Sequence, residues 1–192
     1  MTHFTGKAAL LALSIISFSA SASHWGYEGE GAPEHWGELD DAYKTCKNGV
    51  NQSPVNIDTT AKAHLSPLQT HYSEGPVSLT NNGHTIQASE KAGTHDSITL
   101  DKQSWILQQF HFHAPSENTV HGKKYAMEMH LVHKNAEGEL VVVAVMFDQG
   151  AANPELEKLW AMMPGQTGQN VSITSNLNLN KLLPTDKTFW RF

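Results

Sequence analysis

From residue 68 onward, apolar and polar positions alternate with the period of two that marks strands whose faces meet different surroundings. The alternation predicts strands over 68–72, 77–80, 85–88, 97–100, 104–113, 125–134 and 140–147. Asn81-Asn82-Gly83 and Glu137-Gly138 mark turns between them. The run 140–146 is apolar throughout, which predicts a central strand covered on both faces. One segment has helical spacing. Asn153 can cap it, Pro154 suits its first position, and Leu156, Leu159, Trp160 and Met163 fall on one face before Pro164-Gly165 ends it. Residues 24–54 are rich in Gly, Pro and Trp and have little periodicity, so they read as an irregular wrapping segment. The fold class is mostly β with minor helices.

The first residues follow a different pattern. Lys7 precedes an apolar run over 8–19, and Ala20-Ser21-Ala22 is a small-x-small cleavage site. This is the pattern of a secretory signal peptide over 1–22, too short to span a bilayer. The rival reading is a buried N-terminal helix. Residues 23–192 are then expected to form a single periplasmic or secreted domain. The chain has 13 Lys+Arg against 19 Asp+Glu, for a net charge of −6. That balance argues against a nucleic-acid partner, which requires a basic footprint. The polarity excludes a multi-pass membrane protein, and the aromatic and β-branched content excludes a disordered acidic chain. Oligomeric state is not legible. Twelve histidines raise the expectation of a metal site. Cys46 is the only cysteine. In an exported protein it is free, pairs between chains, or has lost its partner.

The informative run is Gln109-Phe110-His111-Phe112-His113. In a strand, Gln109, His111 and His113 face one way, and the two phenylalanines face the other and anchor the strand in a core. A second strand carries Glu128, His130 and Val132 on one face. Antiparallel pairing through 114–124 lets His130 supply a third ring nitrogen. Three neutral imidazoles with one open position make a catalytic rather than a structural zinc arrangement. Gln109 and Glu128 lie two residues from His111 and His130, where they can accept the rings' other N–H groups. The same His-x-His spacing also occurs in cupin barrels. His133 points away from His130 and reads as structural, and His121 reads as an exposed loop residue.

These residues, with the run Ala114-Pro115-Ser116-Glu117-Asn118, resemble an α-class carbonic anhydrase of the bacterial secreted type. His24-Trp25-Gly26-Tyr27, Pro33-Glu34-His35-Trp36, Gln52-Ser53-Pro54-Val55, Asn81-Asn82-Gly83-His84 and the run 140–147 extend the resemblance from about His24 to the last residue. It implies a large, twisted, mainly antiparallel central sheet with a conical cleft. It also implies reversible, zinc-dependent hydration of CO2 to bicarbonate and a proton through a zinc-bound hydroxide. By resemblance, His111, His113 and His130 are zinc ligands, and Gln109 and Glu128 are their hydrogen-bond partners. His84 is the proton shuttle, and Val132 and Val142 line the CO2 pocket. Glu117 is the carboxylate that orients a hydroxyl gate beside zinc. Tyr27 and Asn82 belong to a polar, water-ordering wall.

The sequence departs from the resemblance at its end. Nothing in it matches the family's Ser-Leu-Thr-Thr-Pro-Pro-Cys stretch. The gate threonine and the partner of Cys46 therefore have no counterpart, and C-terminal strands of the sheet are expected to be missing. Phe189, Trp190 and Phe192 make an aromatic ending without a polar tail. The expectation is a C-terminal truncation that binds zinc weakly and hydrates CO2 slowly. The alternative function is a non-catalytic zinc-binding or interaction protein built on the same sheet.

Overall fold

The computed structural model describes residues 25–192. The leader proposed over 1–22, and His24, lie outside the described residues. The chain divides into two compact units, Met1–Val50 and Asn51–Phe192.

The described part of the first unit is a string of single turns. Helices α1 (Trp36–Leu39) and α2 (Lys44–Asn48) alternate with 3-10 turns at Gly29–Gly31, Pro33–His35 and Asp41–Tyr43. Short helices like these are marginal alone and depend on side-chain anchors. Trp36 supplies one: its Nε1 donates to Gly26 O at 2.9 Å and Gly31 O at 2.8 Å. Trp25, Tyr27 and Trp36 pack edge to face with centroids 5.4–6.0 Å apart. Gly37 lies against Lys47, where any Cβ would collide with the Lys47 backbone and Cβ. Cys46 is free and exposed.

The second unit is built on an eight-stranded sheet. Its strands are β2 (Gln69–His71), β3 (Glu74–Asn81), β4 (Ile86–Glu90), β5 (Ser97–Leu100), β6 (Gln103–His113), β8 (Met127–Lys134), β9 (Leu140–Phe147) and β10 (Asn170–Asn178). All its pairings are antiparallel. β6 is the organising strand: β5 and β4 pair with successive parts of one edge and β8 pairs with the other. From β4 the sheet runs through β3 to β10, and from β8 to β9. Two short strands, β1 (Asn56–Ile57) and β7 (Thr119–Val120), form a separate parallel pair.

The core lies on one face of this sheet. Ala88, Phe110 and Leu131 are fully buried neighbours across β4, β6 and β8. Met129, Val145, Leu79 and Ile173 extend the layer. Helix α3 (Pro154–Ala161) is capped as expected, with Asn153 Oδ1 accepting from Glu155 N and Leu156 N. Its Leu159 and the following Leu179 and Leu182 close the core. No helix among the described residues is long and apolar enough to cross a membrane.

Two expectations change. β9 is not a central strand, because among the described residues it pairs only with β8. Val141, Val143 and Val145 turn to the core side, while Leu140, Val142 and Ala144 are exposed. A continuous apolar run thus shows that both faces are apolar, not that both are covered. β10 is the second change, an edge strand whose polar composition hid it.

Candidate metal centre

The histidine face exists because β6 changes parity. Trp105 and Leu107 are buried on the core side, and Phe110, buried, and Phe112, partly buried, face it too, although an unbroken alternation would put the two pairs on opposite faces. A register shift between Leu107 and Gln109 inserts one residue, Gln108, and resets the alternation. From there Gln109, His111 and His113 share the face opposite the core. β8 then brings His130 directly across from His111, and Glu128 across from His113.

The three rings converge. Centroids of His111, His113 and His130 are 4.7–5.3 Å apart. One nitrogen from each falls within 4.8 Å of the others, and all three rings are half-buried. The outer partners decide which nitrogen is open. Gln109 Oε1 accepts from His111 Nδ1 at 2.8 Å, which leaves Nε2 bare. Glu128 Oε1 lies 2.9 Å from His130 Nε2, off the line of the ring N–H, which leaves Nδ1 toward the other rings. His113 Nε2 is buried with no hydrogen-bond partner, the state of a donor atom made for something other than a proton. Burial, and then the neighbouring rings, push His111 down to about 4, and burial lowers His113 as well. His111 and His113 are thus held as neutral donors, the form a cation requires. The donor set fits a tetrahedral dication that keeps an open position.

Glu128 is fully buried yet ionised. Burial alone would raise its carboxyl; the His130 side chain and the Asn118 side chain and backbone override this and hold it down at about 2. Its Oε2 accepts from Glu117 N at 2.8 Å and Asn118 N at 2.9 Å, and its Oε1 from Asn118 Nδ2 at 2.6 Å. Asn118 is the functional residue that sequence reasoning missed. Its Oδ1 accepts from Val55 N at 2.7 Å, which fixes the amide orientation. The available signal was a buried amide near a predicted carboxylate, and a single sequence does not show burial. Replacing Asn118 with Asp would set a second carboxylate against Glu128. Metal affinity is expected to fall by roughly 10–100-fold, measured by competition with a chromophoric chelator; unchanged affinity would remove Asn118 from the site.

The remaining expected residues occupy definite places. Glu117 puts Oε2 3.4 Å from His113 Nε2 and 4.0 Å from His130 Nδ1, at the mouth of the triad. Val132 pairs with Val142 across β8 and β9, beside the His130–Ala144 pair, so an apolar strip adjoins the rings on their own face. Asn82 Oδ1 is committed to the turn, accepting from His84 N and Thr85 N at 2.9 Å each. Gly83 in that turn has φ +91°, which favours glycine. Thr85 Oγ1 donates to Phe112 O at 2.6 Å and moors the His84 turn to the end of β6 that carries His113. Tyr27 belongs to the first unit and its aromatic cluster. His133 is buried with Nε2 2.9 Å from the Tyr72 hydroxyl. His121 is exposed, 3.2 Å from Asp58.

A family model described as eukaryotic-type carbonic anhydrase matches residues 31–192. A carbonic anhydrase of Klebsiella pneumoniae is 68% identical over 187 residues, covering 97% of this chain and 76% of that protein. One from Pectobacterium atrosepticum is 44% identical over 190 residues, covering 97% and 77%. The α-carbonic anhydrase of Thermovibrio ammonificans, solved with the inhibitor sulfanilamide, superposes with a TM-score of 0.82 at 43% identity, over 86% of this chain and 74% of that one.

Proposed function

This chain belongs to the eukaryotic-type carbonic anhydrase family, and from that premise we propose that it hydrates CO2 reversibly to bicarbonate and a proton with a zinc ion held by His111, His113 and His130. The observation that carries the metal assignment is the convergence of three half-buried ring nitrogens on one point. When bound there, zinc supplies a Lewis acid that makes its water nucleophilic near neutral pH, the established chemistry of carbonic anhydrases as a class.

The chain's own groups do the rest. The three rings bind without charge, so the cation's field is not offset by its ligands. Gln109 holds His111 in the tautomer that presents a lone pair inward, and the Glu128 carboxylate beside His130 Nε2 favours the proton on that nitrogen. Val132 and Val142 offer CO2, a molecule without a net dipole, an apolar surface beside His130. Glu117 keeps an acceptor at the mouth of the triad, where it can orient a hydroxyl. His84 follows a turn moored next to His113, and its role in this reading is to receive the released proton; imidazole is the side chain suited to exchange one near neutral pH.

Zinc content and stopped-flow CO2 hydration, measured on the same preparation, test this reading. One zinc per chain is expected, with hydration lost on chelation and restored by zinc. One zinc without hydration above background would instead identify a metal-binding protein on the same sheet. The residue pattern over 1–22 supports export, and a periplasmic or secreted product beginning near Ser23 is expected on N-terminal sequencing.

A further inference from the structure

A second polar cluster sits three residues farther along β4 from Gln87, the residue that pairs with His111. Glu90 ends β4, opposite Val77 of β3. Asp96 lies just ahead of β5 and is 2% exposed. Its Oδ1 accepts from the Ser73 backbone N–H at 2.8 Å and the Ser73 hydroxyl at 2.6 Å. Its Oδ2 is buried and receives no hydrogen bond from any donor. The half-buried Glu90 carboxyl interacts with Asp96, whose backbone carbonyl accepts from Leu107 N on the same edge of β6 that pairs with β4. Glu90, Ser73 and Thr94 also share a small cavity walled by Val77, Leu177 and Leu179.

Two ionised carboxylates are both pure acceptors. With Asp96 buried and Glu90 half-buried, two charged carboxylates would leave Oδ2 orphaned and repel each other. One proton between them removes both penalties. Ser73 already gives the Asp96 carboxylate two donors, which assigns the proton to the other partner. We propose that Glu90 is protonated at neutral pH and donates to Asp96, forming a carboxyl–carboxylate clamp that joins the end of β4, the start of β5 and the β2–β3 corner, and that opens as the solution becomes alkaline.

The surroundings agree. Burial, then the hydrogen bond to Asp96 and its charge, raise Glu90 from 4.5 to about 8. Tyr72, buried at the end of β2, is the other titratable group that feels the pair. Burial and then the charges of Asp96 and Glu90 push its phenol upward, so it stays neutral. Behind it stands His133, neutral because burial lowers it to about 4. Lys91 and His95 in the same turn, and Glu74 at the start of β3, are exposed to solvent. β10 and the turn after it contribute only Leu177 and Leu179 to the cavity. Because Glu90 is raised on folding, the clamp's stabilisation is complete below about pH 4.5 and is lost as pH rises through about 8.

Thermal unfolding of the full chain at about pH 6 and about pH 9.5 tests the clamp. The midpoint of the parent chain is expected to fall by about 3–5 °C more than that of Glu90→Gln, whose amide donates to Asp96 at every pH. Using the difference between the two proteins cancels the pH response of the histidine site. Equal falls would overturn the proposal. Carboxyl NMR of the parent chain with labelled glutamate reads the proton directly, whether or not the variant folds. One glutamate titrating near 8 supports the clamp, and none titrating above about 6 refutes it.

Discussion

Replacing His113 with alanine is expected to abolish stoichiometric zinc binding, and CO2 hydration with it. His113 presents a buried ring nitrogen that makes no hydrogen bond, and it pairs across the strands with Glu128. Two imidazoles cannot reproduce a three-point cradle. The loss of affinity should therefore exceed the roughly 10–100-fold that follows from altering a ligand's hydrogen-bond partner. The fold should survive, because His113 faces the cleft while Phe110 and Phe112 hold the strand from behind. Metal analysis after dialysis, with far-UV circular dichroism beside it, reads both statements. Retention of one zinc per chain would contradict the assignment.

Phe110→Ala should have the largest effect on stability. Phe110 is fully buried, opposite Ala88 on one side and Leu131 on the other, themselves fully buried. Emptying that place removes the packing that aims His111 and His113. Large-to-small changes of this kind cost about 3–5 kcal/mol, a large share of the roughly 5–15 kcal/mol that holds a domain together. At roughly 2–4 °C per kcal/mol, the melting midpoint should drop by about 6–20 °C. Phe112→Ala should cost less, since Phe112 is only partly buried against Phe110 and Trp160. Thermal or urea unfolding of both variants measures the order. A Phe110 variant within about 1 kcal/mol of the parent would mean that the strand is not anchored there.

The metal face was legible because its chemistry repeats with the strand period: His111 and His113 are two apart, and His130 is followed by Val132. The seven strands read from alternation all exist, two of them with the same ends and the others with ends shifted by at most three residues. What was hidden follows from what one strand cannot report about its neighbours. The bulge at Gln108 is invisible because Gln108-Gln109 reads equally well on either parity; the burial of both Leu107 and Phe110 exposes it. The strip Leu140, Val142 and Ala144 is apolar without being covered, so hydrophobicity misplaced β9 in the sheet's interior. β10 pairs with β3 over 170–173 and 177–178, and in its polar stretch, Ser172 to Asn176, only Ile173 is buried. Asn118 carries no periodicity at all. Its role comes from a loop folded over Glu128 and from a bond to Val55, 63 positions away.

X-ray absorption at the zinc K-edge of the metal-replete chain tests the metal centre most directly. Three imidazole nitrogens at about 2.0–2.1 Å with one further light atom are expected, falling to two imidazoles or to no ordered site in His130→Ala. A zinc shell dominated by carboxylate or sulfur, or a spectrum unchanged by that substitution, would contradict the triad.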